Sequence, residues 1–215
     1  MTTLNTENLT LREVHLLLGL QKRPMGSFRL FLSLEPLTEF EQQELIQIAD
    51  DFDNYLIAGK VSEGLVKALT TFPLMRLAGL YRLPLAMNLE EGIERVNIED
   101  EETFATGRFD ILSINQTASN GSNPFWLLVI ESINSSVDLS AGLPHLLNYA
   151  FKSLAYQESV WGLVTNGLRY QFVYLRQGIP PTYQIMPDLN LFEPERARVL
   201  LQVMKAICKL QVSDF

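Results

Sequence analysis

Hydrophobic positions change their spacing along the chain, and the change divides it. Near the N-terminus, Thr10-Leu11-Arg12-Glu13 is a capping-box pattern followed by Val14, Leu16, Leu17 and Leu18. It predicts a short helix that stops at Gly19. Gln21 to Leu34 is ambiguous, with an extended Ser27–Leu34 as one reading. Thr38-Glu39-Phe40-Glu41 is a second capping box, and Phe40, Leu45, Ile48, Phe52 and Leu56 recur at helical spacing as far as Gly59. Ser62 then caps a third expected helix, Glu63 to Leu80, with Pro73 inside it as a source of kinking. Its apolar face is Leu65, Val66, Leu69, Phe72, Met75 and Leu77.

From Leu85 the pattern becomes strand-like. Three strands are predicted, at Leu85–Ile98, Phe104–Ile114 and Phe125–Ile133. Asn115 to Pro124 is polar or small and contains Asn120-Gly121, so it reads as an exposed hairpin loop. Phe125 to Ile130 is apolar without alternation, as expected of a strand covered on both faces. A helix over residues 139–155 follows. Val160–Val164 is another strand, Asn166-Gly167 a tight turn, and Arg169–Leu175 an antiparallel return. Thr182–Met186 is expected at the sheet edge, and Glu193–Leu210 as a final amphipathic helix. Strand, helix, buried strand is a βαβ unit, so the chain reads as α/β: a mixed sheet with helices on its faces.

The chain has 215 residues and 47% hydrophobic residues, enough for one domain with a substantial core. Residues 1–60 read as an N-terminal helical extension packed on a 61–215 core. No apolar run approaches a membrane span, and the polar start lacks a signal-peptide pattern. Cys208 is the only cysteine, so a disulfide framework is excluded and a reducing cytoplasm is expected. The net charge of -8 excludes binding nucleic acid by bulk electrostatics, although a local basic groove or a metal bridging to phosphate is compatible with it. Glu90, Glu91, Glu94 and the run Glu99-Asp100-Glu101-Glu102 read as a solvated turn. Adjacent residues of an extended chain point to opposite faces and do not converge on a metal.

Phosphate-binding loops, dinucleotide turns and nucleophile elbows are absent, and two histidines with one cysteine are too few for zinc. What stands out is Asp110 in one strand and Glu131 at the end of another, with Glu63 as a third acid. An ionised carboxylate beside a core is costly unless paired, and paired carboxylates suit a divalent cation.

Five segments stand in an informative order. They are Ser62-Glu63-Gly64-Leu65-Val66-Lys67 leading into Pro73 to Gly79, then Gly107-Arg108-Phe109-Asp110-Ile111-Leu112, then Val129-Ile130-Glu131-Ser132-Ile133-Asn134. Leu143-Pro144-His145-Leu146-Leu147-Asn148-Tyr149 and Val160 to Gly167 complete the set. From about Ser62 to Leu175 the arrangement resembles the PD-(D/E)XK nuclease superfamily, in particular the N-terminal nuclease domain of type I restriction subunits. The resemblance implies a restriction-endonuclease-like fold and magnesium-dependent hydrolysis of DNA phosphodiesters, other divalent cations being compatible. It gives Glu63, Asp110 and Glu131 as metal ligands. At 215 residues there is no room for the motor part of such a subunit, so a stand-alone nuclease-like domain is expected.

Two positions depart from the family. Ile133 stands where Glu-x-Lys has its lysine, and His145 stands where relatives have glutamine. An isoleucine supplies no charge, so a weakened enzyme or a substitute cation is expected. Lys152, two helical turns after His145, and Arg108 are the candidates, and His145 is itself a candidate base or donor. Taken singly, each residue has a plain structural reading: Asp110 paired with an arginine, Glu131 at a solvated strand end, His145 facing water. The alternative function is a catalytically inactive domain that binds a protein partner or nucleic acid. Membrane association is not expected, and a homodimer is left open.

Overall fold

Both capping boxes form. Thr10 accepts from the Glu13 N–H at 3.3 Å while the Glu13 carboxylate accepts from the Thr10 N–H at 2.7 Å, opening α1 (Leu11–Leu18). Gly19 ends it in the left-handed conformation, φ 62°. Thr38 and Glu41 repeat the arrangement at the start of α2 (Glu39–Ala58). The structure is a computed structural model, and it describes residues 2–5, 9–89, 96–97, 103–106, 110–120 and 123–213. The acidic stretches at Glu90–Glu94 and Glu99–Glu102, and Arg108, lie outside the described residues.

The third expected helix is present but composite. α3 (Glu63–Val66) passes into a π-helical segment, Lys67–Thr71, and then into α4 (Phe72–Ala78). The Phe72 N–H donates to the Lys67 carbonyl, five residues back. Pro73 follows immediately. A proline has no N–H to give and its ring crowds the carbonyl four residues earlier, so the wide turn just ahead of it absorbs what would otherwise be a kink. Ser27–Leu34 is not a strand, since Phe28–Leu30 form a 3-10 turn.

The main sheet has eight strands. Its connected order is β2 (Gln21–Lys22), β10 (Thr182–Ile185), β9 (Arg169–Arg176), β8 (Ser159–Thr165), β7 (Asn123–Ser132), β6 (Ile111–Asn120) and β3 (Leu85–Leu89), with β11 (Leu189–Asn190) also paired to β9. β3, β6 and β7 form the expected antiparallel meander, and β7 pairs in parallel with β8 through the crossover helix α5 (Leu143–Ser153). The mixed α/β architecture is therefore as read.

Several details differ from the sequence reading. β3 covers Leu85–Leu89 of the expected Leu85–Ile98 strand, and residues 90–95 and 98 lie outside the described residues. The backbone of β4 (Val96–Asn97) and β5 (Thr103–Thr106) belongs to a separate three-stranded sheet with β1 (Thr2–Asn5). The polar stretch after Asn115 is not a loop. It continues the ladder to Asn120, which pairs with Asn123, after register shifts near Ser113 and Asn115. Backbone hydrogen bonding does not require apolar side chains, so polarity misled the reading there. β10 is not an edge, because β2 from the N-terminal region adds beyond it. That region also supplies α1 to one face of the sheet and α2 to the other.

Apolar residues divide between those faces. Leu128 and Ile130 pack with residues of α2, α4 and α6 (Pro194–Ser213), while Val129 packs with residues of α1 and α5. Among the described residues, no helix is long and apolar enough to cross a membrane.

Candidate active site

β7 and β8 run in parallel, and both end at the same rim of the sheet, the usual place for a site in parallel α/β units. Glu131 is the penultimate residue of β7. Asp110 lies one residue ahead of β6, in a bend rather than inside the strand. Ile111 pairs with Ile130, so Asp110 stands abreast of Glu131. From one side of the sheet α3 brings Glu63 and the π-helical segment behind it brings Lys67 to this rim; from the other, α5 brings His145 in its first turn.

Lys67 joins the acids. Its Nζ lies 2.8 Å from Asp110 Oδ1 and 2.8 Å from Glu63 Oε1, and its side chain is only 9% exposed. The other Asp110 oxygen, Oδ2, accepts from the Ser132 N–H at 2.6 Å. His145 Nδ1 stands 3.4 Å from Glu131 Oε1. Gly142 permits this approach: a Cβ there would lie 3.1 Å from Glu131 Cγ and 2.8 Å from Val164 Cγ1. Ile133 borders the same spot, its Cγ2 3.6 Å from that position, so an apolar side chain lines this side of the site.

The rim is fastened to the start of α3. The Val61 N–H donates to Ser135 Oγ at 2.9 Å, and the Ser135 N–H donates to the Val61 carbonyl at 3.1 Å. Asn166 and Gly167 form the expected turn, with Gly167 at φ 87°. The Asn166 side chain accepts from the Leu168 and Arg169 N–H groups and donates to the Val137 carbonyl.

Electrostatics follow from burial and pairing. Burial pushes the Asp110 carboxyl above its usual range, against the opposing pull of Lys67 and the Ser132 N–H, with Glu63 adding to the push. Glu131 is likewise raised, first by burial and then by the Asp110 charge, while His145 pulls the other way. For Lys67, burial lowers the pKa, but hydrogen bonds to Asp110 and Glu63 outweigh it and hold the ammonium well above the ordinary lysine value. Three carboxyls, those of Glu63, Asp110 and Glu131, thus meet one ammonium and one imidazole at this rim.

Among the described residues, no three His, Cys, Asp or Glu side chains already converge as a metal-binding group. The donors nonetheless fit magnesium. That ion keeps several waters and typically takes one or two protein carboxylates plus substrate phosphate. Asp110 and Glu131 supply two hard oxygen donors at the ends of neighbouring strands.

Of the sequence candidates, Glu63, Asp110, Glu131 and His145 gather at this rim. Lys152 sits elsewhere, in the last turn of α5. Its Nζ is 5.8 Å from the Tyr149 ring centroid and has no hydrogen-bond acceptor among the described residues. Burial lowers its pKa. Lys67 is the residue the sequence reading missed as a site residue. Its one legible signal was the spacing to Glu63, which places an acid and a base one helical turn apart. No protein-family model matches the chain, and comparison with curated proteins gives no match, so the reading of this site stands on its geometry.

Proposed function

We propose that the chain is a magnesium-dependent, DNA-directed nuclease of the PD-(D/E)XK type with a restriction-endonuclease-like core, in which Lys67 supplies the ammonium that Ile133 cannot. The observation that carries this reading is Lys67 Nζ at 2.8 Å from Asp110, beside Glu131 at the ends of the parallel strands. Asp110 and Glu131 would hold the ion, which when bound supplies neutralisation of phosphate charge and a more acidic water. Lys67 is placed to stabilise negative charge that develops on phosphoryl oxygens. Glu63 and the Ser132 N–H fix the geometry from either side, one orienting Lys67 and the other Asp110. His145 orients Glu131, and Ile133 and Gly142 lie against this part of the site.

The test is cleavage of supercoiled and linear DNA with magnesium or manganese. The wild-type chain should cut, and Glu131→Gln should lower the rate by about 10²–10³, the usual cost of one lost electrostatic contact in a transition state. One observation favours the second reading, a catalytically inactive domain that binds a protein or nucleic acid: no three metal donors are already gathered among the described residues. A folded wild-type chain that cuts nothing with any divalent ion would make that reading the better one.

A further inference from the structure

The space between Glu63 and Asp110 is already taken. Lys67 Nζ touches both carboxylates at 2.8 Å and is nearly buried. Asp110 is held through both oxygens, Oδ1 by Lys67 and Oδ2 by the Ser132 N–H. The carboxyl that Lys67 does not reach therefore lies on the other side of Asp110, at Glu131. Among the described residues, the one ion-pair partner of Glu131 is His145, at 3.4 Å.

We propose that Lys67 is a built-in cation filling the position between Glu63 and Asp110, so that the chain binds a single divalent ion, held between Asp110 and Glu131. Glu63 is then a positioning residue that anchors the ammonium and not a metal ligand. A tethered ammonium acts as a permanent occupant. It repels a second cation at close range and weakens the first.

The inference rests on the proposed metal-dependent reading, and the experiment separates the two. Manganese is titrated into the full chain at neutral pH, with bound ion read by electron paramagnetic resonance and no DNA present. The wild type should bind one ion per chain. Glu131→Gln should weaken it by about tenfold or more, as loss of one of two ligand charges implies. Glu63→Gln should change the affinity by less than about threefold, because that charge is already neutralised by Lys67. Lys67→Met should tighten manganese binding by about tenfold or more, since a neighbouring positive charge is gone. Two ions in the wild type would overturn the inference and leave the nuclease reading intact. So would a loss in Glu63→Gln as large as in Glu131→Gln, or an unchanged affinity in folded Lys67→Met. No binding by the wild type or any variant would sink the metal-dependent reading itself. If Lys67→Met fails to fold, the wild-type stoichiometry and Glu63→Gln carry the test.

Discussion

Two lysines, 85 residues apart in sequence, divide the chemistry of this molecule, and both have left most of the solvent. At the strand-end rim, Lys67 is gripped by two carboxylates and its charge is reinforced. At the far end of α5, Lys152 lies over an aromatic ring with no acceptor among the described residues, and its charge is undermined. Burial acts on both in the same direction. The partners decide the outcome, and a carboxylate at hydrogen-bonding distance outweighs the aromatic face. Nearness to the core is thus a poor guide to which cation works at a site.

The largest expected difference between them is in rate. Lys67→Met should slow magnesium-dependent DNA cleavage by about 10²–10³, whereas Lys152→Met should leave it within about threefold. Single-turnover cleavage under matched conditions measures both, and the reverse result would return the substitute-cation role to Lys152.

Next comes stability. Lys67→Met strands a mostly buried Asp110 without its counter-charge, and should cost about 3 kcal/mol, the lower end for breaking a buried pair because Glu63 is half exposed. Lys152→Met removes an uncompensated charge, and should be neutral or stabilising by up to about 1 kcal/mol. Urea denaturation of the two variants reads both signs.

The pH dependence should separate them as well. The folded pKa of Lys67 is raised, so its stabilisation is fully present below the ordinary lysine value and is lost only as pH climbs through the higher folded value. The folded pKa of Lys152 is lowered, so its penalty is present at neutral pH and is relieved as pH rises toward the ordinary value of 10.5. Between about pH 7 and 10, the cost of Lys67→Met should stay level while any gain from Lys152→Met shrinks. Parallel denaturation series at several pH values test this, and a Lys67→Met cost that fades over the same range would contradict the assigned pairing.

The smallest effect is expected from Ile133→Lys. With Lys67 in place, a second ammonium beside Glu131 should change the rate by less than about tenfold; in a Lys67→Met background it should restore part of the lost rate. A large gain in the otherwise wild-type chain would mean that Lys67 does not serve as the ammonium.

Local rules carried most of the reading of the fold. Thr10 with Glu13, Thr38 with Glu41, and Gly167 each announce a cap or turn through residues a few positions apart. The run from Leu127 to Ile130 announces a strand covered on both faces, and those four residues are buried. What was missed depends on distance along the chain. Asp110 is 43 residues from Lys67, so nothing near Lys67 in sequence reveals that its ammonium closes the acid cluster. β2 is too short to have a pattern and exists only because β10 offers an open edge. The polar end of β6 carries loop-like residues, and the ladder with β7 overrides them. Lys152 was legible as a residue on the same helix as His145, but the spacing could not show that its tip lies over Tyr149.

The π-helical segment has a consequence for the rotational phase of the helix that carries the site. A turn closed by a five-residue hydrogen bond holds one residue more than a regular turn, and each residue of an α-helix advances the side chains by about 100°. The segment from Lys67 to Thr71 therefore acts as a built-in one-residue insertion between the site end, Glu63 and Lys67, and the anchor end, Leu74 and Met75, which are fully buried. Removing a single residue there, such as Ala68, would tighten the wide turn to an α-helical one and press Pro73 against the carbonyl four residues earlier. With Leu74 and Met75 held by the core, the site end would swing by about 100° and carry the ammonium off Asp110.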